Sequence, residues 1–303
     1  MVTTPEDNIA DVTVNLAGLW LLQAIMGIPT LAPDLVALPY GAARTDDWIG
    51  THPGMAALRE QGVVGRDGRV IDGLARRLAI LAAPDIEVAI HAGIGPLAPS
   101  MPDLADPSTW RSIPEGQLRV VLARRDGQWV SAVRGGDEIT IDDMQGGGTS
   151  WLTARLLGLI DALHPCEPSR ISTVNVPLEE IMTVAAERAR NDEQSPVRNS
   201  GLRKLGVRSA DIAELAEVLD SPVAEAVMYA RAHRDTDVLY STSTVNVRDT
   251  AAGRVVLYQM GRMRGSTQDW QAIAPGRAKV VEQGITAMLD SVGVRSWETY
   301  KRG

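Results

Sequence analysis

Leu118–Arg134 reads LRVVLARRDGQWVSAVR, and this stretch decides the fold. Two runs, Leu118–Arg124 and Trp129–Arg134, flank Arg125-Asp126-Gly127, and an Asp-Gly pair between such runs is a strong hairpin signal. Glu138–Ile141 follows as a further strand. Upstream, Ile86, Val88 and Ile90 alternate with Glu87, Ala89 and His91, as in a half-buried strand. Consecutive strands on short connections pair antiparallel.

Working outward, Val12–Leu16 reads as a short strand. Pro53 suits a first helical position and Gly62 the residue just past a helix end. Val70, Ile71, Leu74, Leu78 and Leu81 fall at helical spacing, and Pro84 ends that helix. Leu152, Leu156, Leu159 and Leu163 mark another, which stops at Pro165. In the second half a helix is expected from Pro177, burying Leu178, Ile181, Met182 and Ala185. Another follows Ser209, a plausible N-cap, and carries Ile212, Leu215 and Leu219. Strands are expected near Glu225–Arg231, Ser243–Arg248, Arg254–Met260 and Asp269–Ile273, then a last helix with Val280, Val281, Ile285, Met288 and Leu289. The fold class is α+β, a central antiparallel sheet with helices gathered on one face.

The two halves share short words in the same order. Val14-Asn15-Leu16 resembles Val174-Asn175-Val176, and Leu58–Val63 resembles Leu202–Val207. Pro84–Val88 is matched by Pro222–Ala226 and Arg119–Leu122 by Arg254–Leu257, and Trp129 by Trp270. A duplication accounts for this order, with pseudo-repeats at about 12–163 and 172–292 inside one domain, 1–303. Chance recurrence of apolar words in an Ala- and Val-rich chain is the alternative. Gly93–Gln117, which carries Leu97, Met101, Leu104 and Trp110, and the polar Arg190–Gly201 break the scheme. Loops of that length are functional or disordered, and the second reads as a linker.

Composition narrows the function. Thirty-eight acidic residues against 30 basic ones give a formal charge of −8, which argues against a phosphate backbone or an anionic membrane surface as partner. The apolar stretch around Leu16–Ile28 holds Gln23 and two glycines and is too short to span a bilayer. No signal peptide is visible at the start, and the single Cys166 makes no internal disulfide, so a cytoplasmic location is expected.

No catalytic constellation stands out. His52, His91, His164 and His233 show no metal-ligand spacing, and no metal site is expected. Cys166 lies two residues from His164, a weak nucleophile–base hint between Pro165 and Pro168, where a helix-ending loop is the simpler reading. Gly146–Ser150 lacks the Lys and spacing of a phosphate-binding loop and reads as a strand-to-helix turn. Asp142-Asp143 suits a solvated strand end, and Glu179-Glu180 a first helical turn, where the dipole favours carboxylates. No cofactor is expected. An enzyme with a site not visible as a motif, hydrolase-like or acting on another small molecule, stays open as the alternative.

Five longer words carry a family resemblance. VNLAGLWLLQAI at 14–25, HPGMAALREQGVV at 52–64, RVVLARRDGQWVSAVRGGDEITIDD at 119–143, NVPLEEIM at 175–182 and GRVVLYQ at 253–259 resemble the EspG family. Its members are cytosolic chaperones of mycobacterial type VII (ESX) secretion that bind PE–PPE protein dimers, and the branch serving the fifth ESX system is the most alike. The resemblance runs from about Val12 to Trp297. It implies two pseudo-twofold halves around an antiparallel sheet. It also implies an ATP-independent holder that grips the helical tip of the PPE partner, keeps the heterodimer soluble and directs it to secretion. Neither nucleic acid nor membrane insertion enters, and the free chain is expected to be a monomer or weak dimer.

If helices cover the apolar side of the sheet, the other side shows Glu87, Ala89 and His91, with Val227, Tyr229 and Arg231. Asn246 and Arg248, alternating with Val245 and Val247, face the same way. The partner-binding residues expected are therefore Tyr229, Arg231, Asn246, Arg248 and His91, with Arg119 and Ser131 on strands of ambiguous orientation. Reversing Arg231 and Arg248 is expected to weaken capture and leave stability almost unchanged.

Overall fold

The computed structural model describes residues 11–37, 46–98, 106, 112–190, 199–260 and 268–302. The hairpin around Asp126-Gly127 forms as its sequence predicts. Strands β3 (Gln117–Arg125) and β4 (Gln128–Gly135) pair antiparallel, with Arg125 opposite Gln128. The two turn residues, Asp126 and Gly127, both have positive φ, 50° and 79°. A two-residue turn that matches strand twist requires this, and Asp and Gly tolerate it best.

Eleven strands among the described residues join one sheet. Besides β3 and β4 they are β1 (Val12–Asn15), β2 (Ile86–Ile94), β5 (Glu138–Asp143), β6 (Val174–Pro177), β7 (Ala224–Arg234), β8 (Asp237–Tyr240), β9 (Val245–Thr250), β10 (Gly253–Met260) and β11 (Trp270–Pro275). The order is β1-β5-β4-β3-β2-β7-β9-β10-β11-β6, all pairs antiparallel, with β8 on the same edge of β7 as β9. The outer strands β1 and β6 have four residues each, which leaves little edge for unwanted pairing.

The words matched between the halves fall on strands as follows. Arg119–Leu122 lies on β3, beside β2, whereas Arg254–Leu257 lies on β10, separated from β7 by β9. Trp129 lies on β4 and Trp270 on β11.

Eight α-helices flank the sheet among the described residues: α1 (Leu16–Met26), α2 (Gly54–Glu60), α3 (Asp72–Ala82), α4 (Thr149–Leu163), α5 (Leu178–Arg190), α6 (Ser200–Lys204), α7 (Ile212–Asp220) and α8 (Ala278–Ser291). α1 is capped at both ends. Asn15 Oδ1 accepts the Gly18 N–H at 2.7 Å, and Gly27, at φ 64°, closes the last turn.

The helices cover both faces, not one. α4 and α8 place Leu152, Leu156 and Ile160, and Val281, Ile285 and Met288, on the side of Val88, Ile90, Leu122, Met228 and Val247. On the opposite face, Leu19, Leu22, Leu58, Leu74 and Leu78 of α1–α3 pack on Val121, Ala132, Ile139 and Ile141. On that same face, Ile181, Leu202, Leu215 and Val218 of α5–α7 pack on Val255, Leu257 and Ile273. Strands β3 and β4 carry apolar residues on both faces because both are covered.

Smaller differences follow from long-range packing. Pro177 ends β6 opposite Trp270, and helix α5 begins one residue later. Met182 is exposed, while Ile181 and Val184 form the buried stripe. α7 starts after Asp211, without a side-chain cap, so Ser209 does not cap it. β8 was not apparent from the sequence. Of the two irregular segments, 99–105, 107–111 and 191–198 lie outside the described residues, including Met101, Leu104 and Trp110.

Candidate functional site

The two helix groups on one face leave a gap over β2 and β7. Register fixes what lines it, because residues directly opposite each other share a face. Glu87 faces Arg231, Ala89 faces Tyr229, and His91 faces Val227 and Arg119. Val227 faces Asn246, and Glu225 faces Arg248. Six of the seven expected partner-site residues therefore share this face: His91, Arg119, Tyr229, Arg231, Asn246 and Arg248. Ser131 does not. It sits opposite Leu122, which points to the α4–α8 side, and it is buried.

The polar groups are largely paired within the molecule. Arg231 is 3% exposed. Its Nη2 pairs with Asp34, and its Nε lies 2.8 Å from Glu87 Oε1. Asp34 belongs to a 3₁₀ turn, Pro33–Leu35, laid over the sheet. It also accepts from Tyr229 Oη and sits 2.9 Å from His91 Nε2. Arg134, fully buried beneath, holds that turn by donating to the carbonyls of Leu35 (2.5 Å) and Val36 (3.2 Å). His233 Nε2 is 3.3 Å from Glu87 Oε1.

At the other end Glu225 organises the floor. Its Oε1 accepts from Asn246 Nδ2 (2.7 Å) and Arg248 Nε (2.9 Å), and its Oε2 accepts the Leu97 N–H at 2.8 Å. Arg248 Nη1 donates to the Val218 carbonyl of α7, also at 2.8 Å. Arg231 and Arg248 are thus structural side chains, and of the two only Arg231 lines the cleft over this face. Reversing them would break buried pairs, contrary to the expectation of unchanged stability.

The electrostatics fix protons in place. Burial alone would raise the Asp34 carboxyl, but the His91 hydrogen bond, the Arg231 charge and the Tyr229 hydroxyl outweigh it and hold the group at about 2. Burial and the Asp34 charge push the Tyr229 hydroxyl well above its ordinary value. Burial lowers Arg119. Asp34 and Tyr229 both titrate far from neutrality, so neither suits proton transfer at neutral pH.

Above this floor is a cleft of ≈ 620 Å³. Its walls include Val36, Leu97, Ala98 and Val227 and the rings of Tyr229 and Tyr240. The Arg231 guanidinium lies 5.9 Å from the centroid of each tyrosine ring. Tyr240, on the edge strand β8, is 60% exposed. The sequence reading missed Asp34, Glu225 and Tyr240. Nothing local marks Asp34, whose partners lie as far as 197 residues away. Glu225 is the second residue of β7, where its alternation with Ala224 and Ala226 carries a face signal.

The Cys166–His164 hint does not strengthen. Burial pushes the Cys166 thiol up, which disfavours the thiolate a nucleophile needs.

Internally paired charges on a sheet, bordered by apolar walls and rings, define a binding surface for another molecule's apolar side chains. The EspG family model matches residues 15–287, and the chain belongs to that family, whose members are chaperones and not enzymes. It is 39% identical over 294 residues to the ESX-5 secretion-associated protein EspG5 of Mycobacterium marinum (strain ATCC BAA-535 / M), covering 96% of this chain and 97% of that one. The EspG5 of Mycobacterium tuberculosis (strain ATCC 25618 / H37Rv) is 38% identical with the same coverage. Among solved structures, the Mycobacterium tuberculosis type VII secretion system chaperone EspG5, in complex with a PE25-PPE41 dimer, superposes with a TM-score of 0.84. There the identity is 36%, over 96% of this chain and 100% of that one.

Proposed function

We propose that this chain is a cytoplasmic, ATP-independent chaperone of a type VII secretion system. It receives the helical tip of a PE–PPE heterodimer, mainly through the PPE subunit, in the cleft over β2 and β7. The observation that carries the reading is the gap between the two helix groups, where an apolar-walled cleft opens above a half-buried floor. Covering an apolar helix tip removes about 25 cal/mol per Å² of apolar area from water, before the costs of association. His91, Arg119, Tyr229 and Arg231 line the floor, Asn246 and Arg248 continue the same face beside it, and Tyr240 with Val227 supplies the apolar contact. The solved relative with its PE25-PPE41 dimer supports the choice of client. No helix among the described residues is long and apolar enough to cross a membrane.

The same reading takes 1–303 as one domain of two pseudo-twofold halves. Read inward from either edge, the order is β1-β5-β4-β3-β2 and β6-β11-β10-β9-β7, which supports a twofold axis between β2 and β7. The β8–β9 stretch then stands where β3 stands in the first half.

Co-expression with PE–PPE heterodimers from the same genome, followed by size exclusion, tests the proposal. A stable complex that Val227→Glu abolishes supports it. Failure of every heterodimer to co-elute, or a complex indifferent to Val227→Glu, overturns it.

A further inference from the structure

On the far side of the second half, three side chains of different chemistry meet. Helix α4 hands over to a fixed segment: the His164 N–H donates to the Ile160 carbonyl at 2.8 Å, and prolines follow at 165 and 168. That segment is tied to β10. The Arg254 N–H donates to the Glu167 carbonyl (2.7 Å), and the Ser169 N–H to the Arg254 carbonyl (2.9 Å). Gly253, at φ 121°, permits the close approach, since a Cβ there would stand 2.7 Å from Ser169 Cα.

Asp249 is the residue opposite Arg254 in the β9–β10 pair. A His164 ring nitrogen, Cys166 Sγ and an Asp249 carboxylate oxygen all lie within 4.8 Å of one another. Asp249 is fully buried, and Arg254 orients its carboxylate through bonds of 2.6 and 2.9 Å. Arg254 also pairs with Asp161 at 2.7 Å, so its charge is balanced by a second carboxylate. His164 and Cys166 are partly exposed and line a cleft of ≈ 490 Å³, which gives an entry path and room for a water ligand.

We propose that His164, Cys166 and Asp249 bind one zinc-class ion, with water in the fourth position. One nitrogen, one sulfur and one oxygen suit a borderline-soft ion that accepts tetrahedral geometry, whereas Mg²⁺ and Ca²⁺ ask for oxygen alone. The Arg254 fork is the kind of outer support that fixes a ligating carboxylate. Binding replaces the Cys166 S–H bond with a sulfur–metal bond and releases that proton to solvent, and the His164–Asp249 contact (3.2 Å) gives way to the shared ion. Thiolate and carboxylate together neutralise the dication. The ion then staples the exit of α4 to the β9–β10 hairpin, away from the client cleft, so this site stands or falls separately from the client reading.

The test uses the tag-free, reduced full chain titrated with Co²⁺ and then with Zn²⁺. One equivalent of Co²⁺ should give a near-ultraviolet thiolate-to-cobalt band that Zn²⁺ bleaches. Cys166→Ser should abolish the band, and His164→Gln should weaken Zn²⁺ affinity at least about tenfold. Both side chains are partly exposed, and circular dichroism checks that the variants fold. A wild-type chain without the band, a band that survives Cys166→Ser, or an affinity indifferent to His164→Gln overturns the assignment.

Discussion

Asp34 and Arg231 lie 197 residues apart and form a buried ion pair, each side chain 3% exposed. The pair pins a 3₁₀ turn from the first half onto a strand of the second. It therefore joins the two halves across the floor of the cleft.

Removing Arg231 leaves Asp34 and Glu87 buried without their cation. Breaking a buried pair from one side costs about 3–5 kcal/mol. Arg231→Ala should lower stability by that order in chemical denaturation. A loss below about 1 kcal/mol would show that the pair does not hold the halves together.

The Asp34 carboxyl is held at about 2, against an ordinary 3.8. Its folded value is depressed, so its contribution is complete above pH 4 and fades as pH falls toward 2. The difference amounts to about 2 kcal/mol. Asp34→Asn should lower stability at pH 7 and flatten the decline between pH 4 and 2, as followed by urea midpoints across that range. An equally steep acid limb in the variant would locate the titrating group elsewhere.

Tyr240 is exposed and part of no buried ion pair, yet its ring borders the cleft. Tyr240→Ala should leave the thermal midpoint nearly unchanged and weaken client capture by about 1–3 kcal/mol, as removal of an interface aromatic does. Capture at wild-type affinity, measured by titration calorimetry, would take Tyr240 out of the contact.

Ser131 is a control for the choice of face. It lies on the α4–α8 side of the sheet, so Ser131→Ala should not change client affinity. A marked loss in the same calorimetric assay would place the client on the wrong side of the sheet.

Much of the fold was legible because it is local. The Asp126-Gly127 turn, the alternation in β2 and the leucine spacing in α3 and α4 each depend on neighbours in sequence. The floor was legible for the same reason, since a period of two fixes which of Glu87, His91, Tyr229 and Arg231 share a face. What the sequence hid is tertiary. Arg231 and Arg248 look like free surface cations until Asp34 and Glu225 arrive from distant segments. Helices on both faces were missed, although the doubly apolar run Val120–Ala123 carried the signal. Ser131 was ambiguous for that same reason, and only the register against Leu122 resolves it.

The client is placed in the gap over β2 and β7. Hydrogen exchange of the free chain and of its complex with a PE–PPE heterodimer tests this most directly. The account predicts new protection along the β7–β8 hairpin and at residues 94–98, with α4 and α8 unchanged. Protection confined to α4 and α8, with the hairpin exchanging as in the free chain, would contradict it.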